Sequence, residues 1–256
     1  MTIPTKATTN TMNIKRLVTL FIPLIFFSIA FTQEWKELDR GAFKISIPKE
    51  WNYKKVQGED SFVGYIGGQK VFLNFDYSNM GYANHLLPTE DEYIKKEEWL
   101  MDCPLYKPGV TYTANFNVKS EKVRQMKEKG ITDSSLVKVE GDPCFNAKKL
   151  IHTPTSKELI KYPNADYIAR LIYKGDTAMM PILIPAQIKK HHIMVDSTDK
   201  YIIKTIWPKV AGKGLTGIYI QGRKSSFNFQ MSGKNLSASD QELALKSFKT
   251  IQFPGK

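Results

Sequence analysis

The fold of this chain is constrained most by a succession of short segments in which apolar and polar residues alternate. This alternation is typical of β-strands with one buried face, and it begins at 43–47. The link 67–69, Gly-Gly-Gln, joins two further segments and has the composition of a hairpin turn. The longest alternation, 110–118, predicts a strand along its whole length. A later apolar segment, 178–184, contains Pro181, which predicts an edge or broken strand, and the polar turn 222–225 between two further strands predicts another hairpin.

Three helices are predicted from residues that cap helix ends. Thr89 and Glu92 form a capping-box pattern ahead of a helix over 90–100, and Ser239 with Glu242 repeats it ahead of a helix that ends near 248. Between them, Ser120 begins a helix that Gly130 ends in the left-handed conformation. Many strands with few helices favour an α+β fold, in which a mainly antiparallel β-sheet is flanked by a few short helices.

The first part of the chain has the pattern of an export signal. Lys15 and Arg16 precede an almost unbroken apolar run, 17–31, and no positively charged flank follows it. A membrane span needs about 20 apolar residues, so the run is short for a transmembrane helix. Positive, apolar and small residues in this order predict a signal peptide over 1–32.

Cleavage is expected after Ala30 or Thr32, and the alternative is an uncleaved N-terminal anchor. Met12 would itself make an ordinary start, so 1–11 are superfluous to the signal. No cysteine lies near the junction, so a lipoprotein is not expected. We predict an exported protein, periplasmic or extracellular, with no transmembrane span after cleavage. Residues 33–256 are expected to form a single α+β domain, with 80–208 as an insert or second lobe.

The two cysteines of the chain, Cys103 and Cys144, both lie in the exported part. An isolated pair in an oxidising compartment most often forms one disulfide, and each of these residues adjoins a proline of a turn. The alternative is a catalytic thiol, which needs a basic partner nearby in space. The sequence therefore predicts a disulfide between them.

The predicted mature chain is basic, with 34 lysines and arginines against 25 acidic residues. A surface of this sign attracts anionic polymers such as lipid headgroups, envelope polysaccharide or acidic proteins, although a merely solvated basic surface has the same composition. Nucleic acid is not expected as a partner, because the protein is exported and its aromatic residues are not interleaved with arginine.

The segment 212–217 matches the pattern G-x-G-x-x-G of phosphate-binding loops. Such a loop must open a helix, whereas the residues that follow here, 218–220, read as a strand. His191 and His192 are adjacent, and neighbours on a strand point to opposite faces, so they cannot chelate one metal ion. These patterns therefore assign no cofactor and no metal ligand.

Carboxylates cluster at 90–92 and at Glu97 and Glu98. Paired carboxylates can divide the roles of acid and base, but negative charge at a helix start is also favoured by the helix dipole. Several aromatic residues would suit a carbohydrate or peptide groove, although packing in the core is their more ordinary use. These residues are Trp51, Tyr53, Trp99, Tyr106, Tyr162, Trp207 and Tyr219.

The segment 43–51, Phe-Lys-Ile-Ser-Ile-Pro-Lys-Glu-Trp, resembles the opening of PsbP/Mog1-like domains, in which a strand ends at a proline shortly before a tryptophan. The close, 244–253, is similar to the terminal helix and last strand of that family. The chain also resembles uncharacterised exported proteins of the Bacteroidetes. The resemblance covers about a quarter of the chain and implies a binding or assembly role, with no catalytic residues to carry over.

We therefore expect an exported, non-enzymatic binding or accessory protein whose partner is another envelope protein or an anionic envelope polymer. The alternative is a secreted hydrolase with a site assembled from scattered residues, such as Glu97, Glu98 and a histidine. A basic surface that docks on anionic polymer is the third hypothesis. No catalytic, cofactor-binding or metal-ligating residue is assigned.

Overall fold

The computed structural model describes residues 33–254, so the predicted signal peptide lies outside the described residues. The described residues from 34 to 254 belong to one compact unit. The prediction of an α+β fold is confirmed, because short helices flank sheets that are mostly antiparallel.

The described residues contain fourteen strands and six α-helices. The strands are β1 (Trp35–Asp39), β2 (Lys44–Pro48), β3 (Asn52–Lys55), β4 (Phe62–Gly67), β5 (Leu73–Ser78), β6 (Thr111–Thr113), β7 (Val139–Gly141), β8 (Lys148–His152), β9 (Tyr167–Tyr173), β10 (Asp176–Ile182), β11 (His191–Ser197), β12 (Tyr201–Pro208), β13 (Leu215–Gly222) and β14 (Asn228–Lys234). The helices are α1 (Glu90–Lys96), α2 (Val118–Lys129), α3 (Pro143–Asn146), α4 (Ser156–Lys161), α5 (Ala186–Lys189) and α6 (Ala238–Phe248).

Seven strands form the main sheet, in the antiparallel order β11-β12-β13-β14-β5-β4-β3. We call its apolar face the first face and the opposite one the second face. The first face packs against the hairpin β1–β2 and helix α6, and its centre is aromatic. Phe43 of β2 contacts Phe75 and Phe229 of the sheet, with ring centroids 5.0 and 5.1 Å away. Burying this face supplies the main hydrophobic core.

A second core lies between Trp99 and Ile188, around the small antiparallel sheet β10-β9-β8. Cys103 and Cys144 are buried in it, at disulfide distance, with their Cα atoms 5.9 Å apart. The strands β11 and β12, in contrast, belong to the main sheet. The buried residues of the second core therefore end at Ile188, and Ile193 of β11 packs against them.

The predicted hairpins are confirmed: β4 ends at the turn 67–69 and pairs with β5, and β13 ends at the turn 222–225 and pairs with β14. The prediction of an edge strand at Pro181 is also confirmed, since β10 borders its sheet. Among residues 33–254, no helix is both long and apolar enough to cross a membrane.

The prediction of a strand over 110–118 is wrong beyond its first residues. Within the described residues β6 pairs with β7 alone, and this parallel pairing covers three residues. Asn115–Asn117 form a 3-10 turn, and α2 begins at Val118 and not at Ser120. Phe116 is 86% exposed, so the alternation had no core to face at this point. Without a core or a long partner strand, alternation alone does not hold a strand.

The helix ends agree with the sequence where a side chain caps them directly. Thr89 and Glu92 form both bonds of the predicted capping box, and Gly130 ends α2 with a φ of 63°. The predicted box of Ser239 with Glu242 is wrong, because the Ser237 Oγ accepts the bond from the Asp240 N–H and starts α6 earlier.

Candidate functional site

The second face of the main sheet carries a row of polar side chains that are largely buried. Lys204 of β12 lies opposite Tyr219 of β13, which lies opposite Gln230 of β14, which in turn lies opposite Asp76 of β5. The first three of these residues are at most 5% exposed. Buried polar groups are costly unless they are paired, so this row marks the second face as a site of specific polar contacts.

A groove of about 440 Å³ opens on this face beside Gln230. Its walls combine amides, a hydroxyl, two lysines and apolar side chains. The lining residues are Lys70, Phe72, Asn74, Asn84, Leu86, Leu215, Gln230, Ser232, Gly233 and Lys234. Phe72 is 64% exposed and also lines a neighbouring depression that contains Tyr65.

Two buried oxygens beside the groove have no hydrogen-bond partner in the described part of the chain. They are the Gln230 Oε1 and the Asp76 Oδ1, on side chains that oppose one another across β14 and β5. Burial raises the pKa of the Asp76 carboxyl above its ordinary value. An unsatisfied buried acceptor costs about 1–3 kcal/mol, so a donor placed here by a ligand would recover that free energy.

The loop 79–88 lies across the second face and forms one wall of the groove. Asn228 of β14 holds this loop, because its side chain accepts a bond from the Ala83 N–H at 3.1 Å and donates one to the Ala83 carbonyl at 3.2 Å. Leu86 has a φ of 58°, and the Asn84 Oδ1 accepts its N–H at 2.7 Å. The side chain of Leu86 thereby lines the groove.

An ion-pair cluster lies on the other side of this loop, around a smaller pocket of about 210 Å³. The Lys204 Nζ donates to the Glu92 carboxylate at 2.6 Å. Burial by itself would raise the pKa of Glu92, but the bonds from Lys204 and from the Thr89 backbone outweigh it and hold that pKa below its ordinary value. The pair anchors α1 to the second face of the sheet.

His85 in the same loop stacks on Tyr219, with ring centroids 4.6 Å apart. Burial, followed by the nearby charges of Lys204 and Lys96, lowers the pKa of His85, so its imidazole is neutral around pH 7. Burial raises the pKa of the Tyr219 hydroxyl, which accepts a bond from Asn228 at 3.3 Å. These groups serve to hold the loop against the sheet.

The carboxylates that the sequence suggested for acid–base roles lie at helix ends, in ion pairs or in solvent. Glu97 adopts the left-handed conformation that ends α1 and pairs with Lys149 at 3.0 Å, while Glu98 is exposed. His152 pairs with Glu158, which caps α4. Within residues 33–254, no three histidine, cysteine or acidic side chains lie close enough together to hold a metal ion.

His191 and His192 point to opposite faces, as the sequence predicts. His191 is buried, and its Nε2 accepts a bond from the Leu215 N–H at 2.9 Å. Gly214 lies against this imidazole, where a Cβ atom would be only 2.5 Å from the Nε2 atom. The segment 212–217 therefore makes a tight turn into β13 and does not open a helix.

Most of the aromatic residues that the sequence suggested for an open groove are buried or stack on a neighbouring ring. Trp51, Trp99 and Tyr219 are buried, whereas Tyr106 is 47% exposed and stacks on Tyr112. The groove aromatic, Phe72, was missed because a single exposed phenylalanine beside a strand has no distinctive pattern.

The polar row was not predicted from the sequence, although polar residues within the strand segments are a weak sign of it. Lys204 interrupts a strand that is otherwise mostly apolar or aromatic, whereas Asp76 and Gln230 occupy polar positions of alternating strands. Their convergence depends on the register of four strands that are distant in sequence.

The sequence matches no protein-family model, and no curated protein is significantly similar to it. The resemblance to PsbP/Mog1-like domains therefore stays a prediction.

Proposed function

We propose that this chain is an exported, non-enzymatic binding protein whose groove on the second face takes an anionic ligand rich in hydroxyl groups, such as an acidic saccharide of the envelope. The observation that carries the proposal is Gln230, which lines the groove and whose buried Oε1 has no hydrogen-bond partner among residues 33–254. A ligand hydroxyl is the simplest donor that would satisfy it.

The charge of the groove favours an anion. Lys70 and Lys234 line it, and neither forms an ion pair with another residue between 33 and 254. Phe72 offers an exposed ring against which the apolar face of a sugar can pack. The ten described residues that line the groove include no carboxylate and no imidazole, so binding without acid–base chemistry is the better fit.

Export is supported by two features. The buried pair Cys103 and Cys144 lies at disulfide distance, and disulfides persist mainly in oxidising compartments. The sequence before residue 33 has the order of charges and apolar residues of a secretory signal.

The binding test compares uronate-containing oligosaccharides with neutral ones of the same length, by isothermal titration calorimetry. We expect Gln230→Met to weaken binding of the acidic sugar by about tenfold, which is the loss of one buried hydrogen bond. Gln221→Met is the matched control, because Gln221 is exposed on the neighbouring strand. Its affinity should equal that of the unaltered protein.

The lysines are tested in the same way. Lys70→Gln with Lys234→Gln should weaken binding and reduce its dependence on salt, whereas Lys127→Gln with Lys129→Gln, which are exposed on α2 and line neither the groove nor the neighbouring depression, should not. Equal effects of both pairs would show charge attraction without a site. Shortened sugar products in the mass spectrum would contradict a non-enzymatic role and favour the hydrolase.

A further inference from the structure

Strand β11 forms one edge of the main sheet and lacks the features that usually protect an edge. In the part of the chain that the structure describes, β12 is its only strand partner. The opposite edge, β3, is four residues long and ends in Lys54 and Lys55, which discourage pairing with another strand. β11 has seven residues, its register is unbroken, and it contains neither proline nor lysine.

The hydrogen bonds on either side of β11 show which of its backbone groups face outward. Ile193 lies opposite Ile206, and the same register joins Lys190 to Lys209 and Thr198 to Tyr201 by backbone bonds of 2.9 and 2.8 Å. Alternate residues of an antiparallel strand bond to opposite sides. The even-numbered residues therefore bond to β12, and the odd-numbered residues direct their N–H and C=O groups to the edge, where the Ser197 N–H is bonded to the Asp196 Oδ1.

The sequence of β11, His-His-Ile-Met-Val-Asp-Ser, is complementary to itself when two copies run antiparallel around Met194. We propose that two copies of this chain pair through β11, about a two-fold axis at Met194, and so join their main sheets into one continuous sheet. In this register Ile193 of each copy bonds to Val195 of the other. Both are odd-numbered and so present their backbone groups at the edge.

The same register places a base opposite an acid. His192 of each copy faces Asp196 of the other on the first face of the sheet. These two residues form a non-hydrogen-bonded pair of the antiparallel ladder, and in such pairs the side chains approach closely. The Asp196 Oδ1 accepts the Ser197 N–H at 2.7 Å, which leaves its second oxygen for the imidazole. A base and an acid at equal distances from the centre specify a second copy in preference to an unrelated strand.

Apolar contacts at the centre support the pairing. Met194 is 52% exposed and Val195 is 47% exposed, although both belong to a regular strand. Met194 would contact its counterpart across the axis on the first face, and Val195 would contact Ile193 on the second. One pair of strands buries less surface than a permanent dimer does, so the association should depend on protein concentration.

The test measures the mass of the purified protein in solution by light scattering, at about 100 µM, where contacts in the micromolar range are populated. We expect the mass of two chains. Asp196→Lys should give the mass of one chain, because lysine would face His192. Asp199→Lys is the control, since it makes the same charge change in the exposed turn after β11 and should leave the dimer intact.

The exchange of both partners, His192→Asp with Asp196→His, should restore the dimer, since it keeps the base and the acid in register. Val195→Pro removes an outward N–H without removing a backbone bond to β12. It should therefore give the mass of one chain in light scattering and leave the circular dichroism spectrum of the folded protein unchanged. A monomer in the unaltered protein at this concentration would overturn the proposal. A dimer that survives Asp196→Lys and Val195→Pro, or an exchange that fails to restore it, would do the same.

Discussion

Removal of the link between Cys103 and Cys144 should destabilise the protein, and should do so mainly in the second core. Both cysteines are less than 10% exposed and pack in that core beside the sheet β10-β9-β8. The loop that they close stays within the part of the chain between Trp99 and Ile188. The main core, around Phe43 and Phe75, contains neither cysteine.

The magnitude follows from the length of the closed loop. The cysteines are separated by 41 positions, and closing a loop of this size restricts the unfolded chain enough to stabilise the fold by about 4 kcal/mol in the chain-entropy description. A domain is typically stable by about 5–15 kcal/mol, so this link would supply a large fraction of the total.

The assay combines urea unfolding with hydrogen exchange read by mass spectrometry. Cys103→Ala with Cys144→Ala should lower the free energy of unfolding by about 4 kcal/mol. It should also speed exchange in β8, β9 and β10 more than in β13 and β14. The unaltered protein treated with a thiol reductant is the control, because it opens the link without changing a side chain's volume. A loss below about 1 kcal/mol, or equal acceleration in both sheets, would refute this reasoning.

Three further changes test the second face and the helix ends. Glu92→Gln should lower the free energy of unfolding in urea by about 2 kcal/mol, and by more than Lys204→Met does, because it leaves the buried Lys204 ammonium unpaired. This figure is below that of a fully buried ion pair, since Glu92 is partly exposed. A larger loss for Lys204→Met than for Glu92→Gln would contradict the prediction. Gly214→Ala should lower the melting temperature, because its Cβ would press on the His191 imidazole; an unchanged melting temperature would contradict this. The bonds from Arg124 and Gln125 lower the pKa of Glu121 to about 2 from an ordinary 4.5. The stability that this carboxylate contributes is therefore present above about pH 4.5 and is lost as the pH falls through about 2. Glu121→Gln should flatten the dependence of the free energy of unfolding on pH between these values, and an unchanged pH dependence would argue against the prediction.

Local interactions explain which sequence predictions succeeded. The capping box of Thr89 and Glu92 and the left-handed end of α2 at Gly130 depend on neighbours within a few positions. The hairpin link between β4 and β5 is likewise short, and glycine allows the turn. Such features are decided by backbone geometry and by bonds between near neighbours, so a sequence pattern suffices to find them.

Distant interactions explain which predictions failed. The alternation over 110–118 is as regular as that of 43–47, yet only the second has a core to face. The candidate groove escaped prediction for the same reason, because Asp76 and Gln230 lie more than 150 positions apart and meet only through strand register.

By itself, the sequence determined the α+β class, the main hairpins, the helix ends with direct caps and the pairing of the two cysteines, because short-range patterns and an isolated cysteine pair leave few alternatives. Only the tertiary structure decided the order of the seven strands, the buried polar row on the second face and the exposed edge at β11. These depend on which distant segments become neighbours. That outcome is set by the summed burial of many side chains, and no single stretch of sequence contains it.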